Sequence, residues 1–238
     1  LVASWDQTPL TPVSTVWGLR DMCDDGAGNF AGGYEGGVVF FDLNGNAVTT
    51  FAGQTVAPFV SAGPIGTGTH RALAFDPAGN GGAGSIFLGD FGADIDEVAL
   101  DGTLLQTYPN PASDEWSAYG LAFMPASVAG NAEGSIWVNS APNVGDLKEY
   151  AIDRTAGTLT ATGRAYPRAT NGSQGGIDYV EPSVDGRGGV ACDTWELLAL
   201  DQSTPDVIYA IGPDWPGYFA RDLLAGTSGG PLANEDFQ

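Results

Sequence analysis

One phrase recurs along this chain at a spacing of roughly 50 residues, and that recurrence limits the possible folds more than any other feature. The clearest copy runs through Ala72-Leu73-Ala74-Phe75-Asp76-Pro77 and Gly84-Ser85-Ile86-Phe87-Leu88-Gly89-Asp90. It continues with Ile95 to Leu100, a turn at Asp101-Gly102, and Leu104 to Tyr108. The next copy reads Gly120-Leu121-Ala122-Phe123-Met124-Pro125, Gly134-Ser135-Ile136-Trp137-Val138-Asn139, Leu147 to Ile152, a turn over 153–157, and Leu159 to Thr162. An earlier copy begins at Trp17-Gly18-Leu19 and passes through Gly28 to Gly32, Val38 to Phe41 and the turn Asp42-Leu43-Asn44-Gly45 to Ala47–Phe51. A later one runs Gly176 to Tyr179, Gly189 to Asp193, Leu197 to Leu200 and Val207 to Ile211.

Each copy is four short apolar runs. A Gly-rich turn precedes the second run and an Asp-containing turn joins the third to the fourth, as strand hairpins require. No segment places apolar residues at helical spacing over ten residues. Four antiparallel strands per repeat at this pitch make one blade of a β-propeller, so the expected fold is all-β, one domain over residues 1–238. The repeats span about 17–51, 70–108, 119–162 and 175–211. Leu1-Val2-Ala3-Ser4-Trp5 resembles Ala47-Val48-Thr49-Thr50-Phe51, and Tyr218 to Gly226 can serve as an inner strand. Residues 1–5 with 212–238 are therefore expected to share a fifth blade that closes the ring and removes free sheet edges. That blade lacks an obvious third strand, which would leave an edge for a partner or a second copy to join by strand addition. A β-sandwich is the competing architecture, but it does not call for one phrase four times.

The segments Leu-Ala-Phe-Asp, Gly-Ser-Ile-Phe-Leu-Gly-Asp and Leu-Asp-Gly-Thr resemble the repeats of NHL-, SMP-30- and YVTN-type propellers over residues 17 to 211. Such blades carry lactonases, lyases, adhesins and scaffolds, so the resemblance implies a fold and not an activity. An SMP-30-like hydrolase or lactonase would hold a metal with acids and amides on its inner strands. The residues leading into those strands here are Trp17, His70 with Arg71, Tyr119 and Gln174, which form a largely neutral, aromatic set; Asp21, Asp178 and Glu181 are the acids able to point inward. Aromatic faces at a channel mouth suit the stacking of sugar rings or other flat groups, and these five residues are the expected ligand-contacting set.

Charge narrows the partners. With 29 acidic against 8 basic residues the chain carries a formal charge of -21, which repels nucleic acid and anionic membrane surfaces. A disordered acidic chain would not be 43% hydrophobic. No apolar run reaches the roughly 18 residues that span a bilayer, so direct membrane insertion is not expected. Low lysine content, acidic Gly/Asn/Asp turns and the sequon at Asn171-Gly172-Ser173 point to an extracellular, cell-surface or periplasmic location, with Asn171 the glycosylation candidate. Two cysteines, Cys23 and Cys192, allow at most one bridge, and their distant repeats favour separate buried thiols.

Two motifs carry apparent chemistry. Gly226-Thr227-Ser228-Gly229-Gly230-Pro231 resembles the nucleophile segment of chymotrypsin-like proteases, with His70 and Asp94 or Asp96 in the right chain order. Only seven residues follow Pro231, however, too few to build that fold's specificity pocket, and no catalytic residue is expected. Asp90, Asp94 and Asp96, with Glu97, crowd one turn and are the candidate ligands should the chain bind Ca2+, with solvated turn acids as the competing reading and no other cofactor expected. Asp42-Leu43-Asn44-Gly45-Asn46 has calcium-like letters but reads as an ordinary turn. The expected function is a non-catalytic binding or structural propeller that contacts a protein partner or a glycan, with a metal-dependent hydrolase or lactonase as the alternative.

Overall fold

The computed structural model describes residue 10 and residues 19–34, 36–60, 70–91, 93–110, 116–140, 147–166, 173–179, 197–202, 207–211 and 218–221. These residues form four antiparallel sheets of four strands each, together with a small hairpin. The first sheet contains β1 (Met22–Asp24), β2 (Asn29–Tyr34) and β3 (Gly37–Asp42). After the hairpin of β4 (Thr50–Phe51) and β5 (Gln54–Thr55), β6 (Phe59–Val60) completes its outer edge. The second sheet is β7 (Ala72–Asp76), β8 (Ser85–Gly89), β9 (Ile95–Ala99) and β10 (Leu104–Tyr108). The third is β11 (Ala118–Met124), β12 (Ser135–Ser140), β13 (Leu147–Asp153) and β14 (Thr158–Tyr166). The fourth is β15 (Ser173–Tyr179), β16 (Leu197–Gln202), β17 (Val207–Ile211) and β18 (Tyr218–Arg221). In every sheet the strands pair in chain order, and the first strands β1, β7, β11 and β15 are neighbours in that succession, as in a propeller-like arrangement.

The second and third sheets follow the repeat as read from the sequence. The glycine before each second strand, Gly84 and Gly134, has a positive φ (88° and 82°) and lies flat against the ring of Phe75 or Phe123 in its own sheet. A Cβ at either position would strike that ring at 2.8 Å, so the Gly-Ser-Ile phrase is a turn requirement as well as a packing one.

The first and fourth repeats are corrected. In the first, Met22, and not Leu19, is the counterpart of Leu73 and Leu121: Met22 pairs with Gly32 as Leu73 pairs with Leu88 and Leu121 with Val138. The cause is the loop Asp25-Gly26-Ala27-Gly28-Asn29. Asp25 Oδ1 accepts the amides of Ala27 (2.8 Å) and Asn29 (3.1 Å), and Oδ2 accepts Asn29 Nδ2 (2.8 Å). Asp25 thus stands where Asp76 stands in the second sheet. Ala47 and Val48 touch β3, through a bridge to Phe41 and the bond from Val48 N to Phe40 O, but 47–51 does not continue as the fourth strand. Asp25 Oδ2 draws in the amide of Ala52 (3.0 Å), and the positive φ of Ala52 (49°) and Gly53 (75°) turns the chain into the β4–β5 hairpin.

In the fourth repeat, β16 pairs with β15 and is the second strand, not the third, and β17 is the third, not the fourth. The runs Leu-Leu-Ala-Leu and Val-Ile-Tyr-Ala-Ile are almost unbroken in apolar character, the pattern of middle strands rather than of an outer edge. Residues 218–221, expected as an inner strand of a shared closing blade, pair with β17 as the outer strand of this sheet, with Ile208 opposite Arg221 and Ile211 opposite Tyr218. The strand expected at 189–193 and residues 1–5 lie outside the described residues.

Neighbouring sheets pack through apolar faces. Phe40, Phe51 and Phe59 of the first sheet region meet Leu73, Ile86, Leu88 and Val98 of the second. Ala74, Phe87, Ile95 and Tyr108 of the second meet Leu121, Ile136, Val138 and Tyr150 of the third, with Trp116 between them. The second of these interfaces also carries a buried polar staple. Glu97 Oε1 accepts Ser85 Oγ (2.6 Å) and Oε2 accepts Tyr108 Oη (2.7 Å). Arg154, in the β13–β14 turn, reaches across from the third sheet to Glu97 (Nη2 to Oε1, 2.9 Å; Nε to Oε2, 3.0 Å) and to Asp76 Oδ2 (2.6 Å). Burial pushes the Asp76 carboxyl upward against the pull of the Ala78 amide and Arg154. Glu149 repeats half of this arrangement in the third sheet, accepting Ser135 Oγ (2.6 Å) and Thr162 Oγ1 (2.8 Å), while Nη1 of the half-buried Arg164, which lies over Trp137, stands 3.5 Å away.

Loss of the Arg154 guanidinium leaves two almost fully buried carboxylates uncompensated, so Arg154→Ala is expected to lower stability by about 3–5 kcal/mol. Arg164→Ala is expected to cost less, because its contacts to the equally buried Glu149 are long (3.5 Å) and Ser135 and Thr162 still satisfy that carboxylate. Urea unfolding of the two variants checks the contrast, and equal losses would contradict it.

Candidate functional site

The leading ends of the inner strands share a backbone pattern. Arg20 N donates to Gly33 O (2.9 Å), and Arg71 N donates to Gly89 O (3.1 Å) at the equivalent place one sheet further on. Tyr119 holds that position in the third sheet, since Leu121 is the counterpart of Leu73. Arg20, Arg71 and Tyr119 therefore open the first strands of three successive sheets at the same end of the fold.

At that end Arg71, Asp90, Phe91 and Tyr119 form one cluster. Asp90 Oδ1 accepts the amide of Phe91 (2.7 Å), which fixes the turn leaving β8, and lies 3.4 Å from Arg71 Nε. The Arg71 guanidinium sits over the Phe91 ring with its carbon 4.1 Å from the centroid, and 5.6 Å from that of Tyr119. Phe91 meets Tyr119 edge to face, with centroids 5.0 Å apart at 64°. Phe91 is 42% exposed, while Tyr119 is half-buried. The loop beneath is pinned from both sheets: Trp116 Nε1 donates to Ala93 O (2.9 Å), Asn110 Nδ2 to Trp116 O (3.0 Å) and Asn110 N to Asp94 Oδ1 (2.8 Å).

Asp21 is buried among the inner strands of the first three sheets. Its Oδ1 accepts the amide of Met22 (3.0 Å), and its Oδ2 accepts those of Leu73 (2.8 Å) and Leu121 (3.4 Å). These are the equivalent amides of three successive sheets. Asp21 thus does point inward, as the sequence allowed, but the groups converging there are N–H donors. They suit a carboxylate and would face a cation with their positive ends.

His70 is buried completely rather than displayed at the mouth. It lies against Gly33, where a side chain would collide with Leu73 and with the His70 carbonyl. Burial pushes its pKa down to about 4. The three aspartates proposed for Ca2+ turn in different directions: Asp90 to Arg71, Asp94 to the Asn110 amide, and Asp96, buried, to Thr107 Oγ1 (2.6 Å). Burial raises the Asp96 pKa and the charge of Asp94 adds to it. Among the described residues no group of three or more His, Cys, Asp or Glu side chains is placed to hold a metal ion. Asp42 binds its own loop, accepting the amides of Asn44 (2.8 Å) and Asn46 (2.9 Å) and Asn46 Nδ2 (3.0 Å), as an ordinary turn should. Cys23 Sγ lies 4.0 Å from Ala31 O. Gln174 and Asp178 lie on β15, opposite Asp201 and Leu198. Trp17, Asn171, Glu181, Cys192 and the 226–231 motif lie outside the described residues.

Three features escaped the sequence reading: Phe91, Arg154 and the axial role of Asp21. An aromatic directly after a Gly-Asp strand end is a signal for the first. For the second, the signal is an arginine within a turn of a chain that has only 8 basic residues.

No protein-family profile matches the sequence, and no curated protein matches it. Solved structures do resemble it. The WD40 domain of Neurospora crassa Pan2 superposes with a TM-score of 0.50 at 11% identity, over 89% of this chain and 52% of that one. A Bacteroides caccae protein of unknown function (TM-score 0.48, 12% identity, 87% and 61%) and a candidate 6-phosphogluconolactonase from Bacteroides uniformis (0.46, 17%, 85% and 56%) are also similar. The chain spans about half to three fifths of the length of these structures. The likeness to the WD40 domain shows a propeller-like fold and nothing finer.

The buried His70 makes stability pH-dependent with a defined sign. Its folded pKa of about 4 lies below the ordinary 6.5, so the unfolded chain takes up the proton first. The stabilisation is complete above pH 6.5 and is lost as pH falls toward 4, by roughly 3 kcal/mol. His70→Leu removes this contribution. The stability difference between wild type and variant, followed by urea unfolding from pH 7 to pH 4, is expected to shift in the variant's favour by that amount; a constant difference would contradict the assignment.

Proposed function

We propose that this chain is a non-catalytic, extracellular or cell-surface binding module that holds a glycan on the platform formed by Arg71, Phe91 and Tyr119. The observation carrying this reading is Phe91, an aromatic ring 42% exposed yet fixed in orientation by Arg71 on one side and Tyr119 at its edge. A rigid, half-exposed aromatic pair suits the C–H face of a pyranose, because the ordering cost of binding is already met in the free protein. The platform stands at the leading ends of inner strands of two adjacent sheets, where the fold brings residues from separate repeats together.

The acidic surface supports the location: a charge of -21 favours solubility and discourages association with nucleic acid or anionic lipid. The hydrolase or lactonase alternative draws no support from the axis, where Asp21 is engaged by three amides.

A glycan array probed with the labelled protein, followed by calorimetry on the best saccharide, tests the proposal. Phe91→Ala and Tyr119→Ala are each expected to weaken binding by about tenfold while leaving thermal unfolding nearly unchanged. Failure to bind any saccharide, or binding indifferent to Phe91→Ala, would overturn it.

A further inference from the structure

Three turns of this chain share an aspartate followed four residues later by an asparagine: Asp25 with Asn29, Asp42 with Asn46, and Asp76 with Asn80. In the first two the aspartate holds that asparagine twice, accepting its backbone amide on Oδ1 (3.1 and 2.9 Å) and its Nδ2 on Oδ2 (2.8 and 3.0 Å). In the third, Asp76 Oδ1 accepts the Ala78 amide (2.8 Å), but Oδ2 is taken by Arg154 Nη2 (2.6 Å). Asn80 is left exposed in a left-handed conformation (φ 49°, ψ 44°), and its side chain makes no hydrogen bond among the described residues. Two exposed glycines at positive φ, Gly81 and Gly82, follow it.

We propose that Asn80 is a site of spontaneous deamidation, converted through a succinimide to a mixture of isoaspartate and aspartate. The reacting groups are the side-chain carbon Cγ of Asn80 and the backbone nitrogen of Gly81. The Gly81 N–H proton passes through solvent to the departing nitrogen, the Gly81 nitrogen bonds to Cγ, the Cγ–Nδ2 bond breaks and ammonia leaves. Water then opens the five-membered ring at either carbonyl, giving the isoaspartyl or the aspartyl backbone, so water is the only co-reactant. Gly81 has no side chain to obstruct ring closure and can follow the rotation of the peptide plane that closure requires. Its N–H makes no hydrogen bond among the described residues, so no backbone bond has to break first.

The other described Asn-Gly pair supplies the contrast. Gly45 is buried and its N–H donates to Asp42 O (2.9 Å), while the Asn44 amide donates to Asp42 Oδ1 (2.8 Å), so that nucleophile is engaged and its turn is pinned. The same dipeptide is thus protected in the first sheet and open in the second, where Arg154 holds the carboxylate oxygen that binds the asparagine in the other two turns. The modified turn carries one further negative charge, and its isoaspartyl form one further backbone methylene.

Peptic peptide mapping by mass spectrometry, on native protein held at mildly alkaline pH, tests this. The peptide carrying Asn80 is expected to gain the mass difference between an amide and an acid at least about tenfold faster than the one carrying Asn44, the factor that one or two backbone hydrogen bonds command. In urea the two rates are expected to converge, because both pairs are then the same solvated dipeptide, and Asn80→Gln is expected to abolish the early signal. Equal rates in the folded protein, faster conversion at Asn44, a difference that persists in urea, or an early signal surviving Asn80→Gln would overturn the proposal.

Discussion

The arrangement depends on three backbone amides meeting one carboxylate. The first strand of each sheet has a neighbour on one side only, and a strand edge with unpaired N–H groups in a buried place is costly. Asp21 answers this at the axis: the amides of Met22, Leu73 and Leu121, one from each of three sheets at the same position of the repeat, all donate to it. A single side chain thus sets the spacing of three inner strands. The same contact sets the spacing of Arg71 and Tyr119, two residues before Leu73 and Leu121, and so the width of the platform that they form with Phe91.

Farther from the axis, the sheets are held by a repeated pair that is used unequally. Ser85 with Glu97, and Ser135 with Glu149, are the same hydrogen bond at 2.6 Å in two sheets. Among the described residues only Glu97 receives an arginine from the next sheet, in the company of Asp76 and Tyr108. Where Asp76 stands in the second sheet, Met124 stands in the third, which removes the acid that would share a second cross-sheet arginine. The apolar interfaces are similar in kind, whereas the ionic staple marks the junction beneath the platform as the more exacting one.

Much of the fold was legible because strand period, turn glycines and Asp-led turns all report local constraints. The second and third sheets needed nothing more. The first repeat was misphased because Leu19 mimics the leucine of the repeat, while the true marker was Asp25-Gly-Ala-Gly-Asn, matched by Asp42-Leu-Asn-Gly-Asn and Asp76-Pro-Ala-Gly-Asn. Asp25 and Asp42 bind the amides two and four residues on and the asparagine side chain; Asp76 keeps the first of these bonds. The fourth repeat was misread because two strongly apolar strands were given outer positions. Arg71 and Tyr119 hold matching places two residues before Leu73 and Leu121, a phase that the sequence displays. Phe91 and Arg154 have no such signature, since each acts across sheets and no local pattern encodes a partner 57 residues away, as Glu97 is from Arg154.

Amide hydrogen exchange at Leu73 and Leu121, followed by NMR in the wild type and in Asp21→Ala, tests the axial carboxylate most directly. The account predicts that both amides are protected in the wild type. Both should then become fast-exchanging in the variant, while Phe87 and Trp137 in the middle strands stay protected. Rapid exchange of Leu73 and Leu121 in the wild type, or protection unchanged without Asp21, would contradict it.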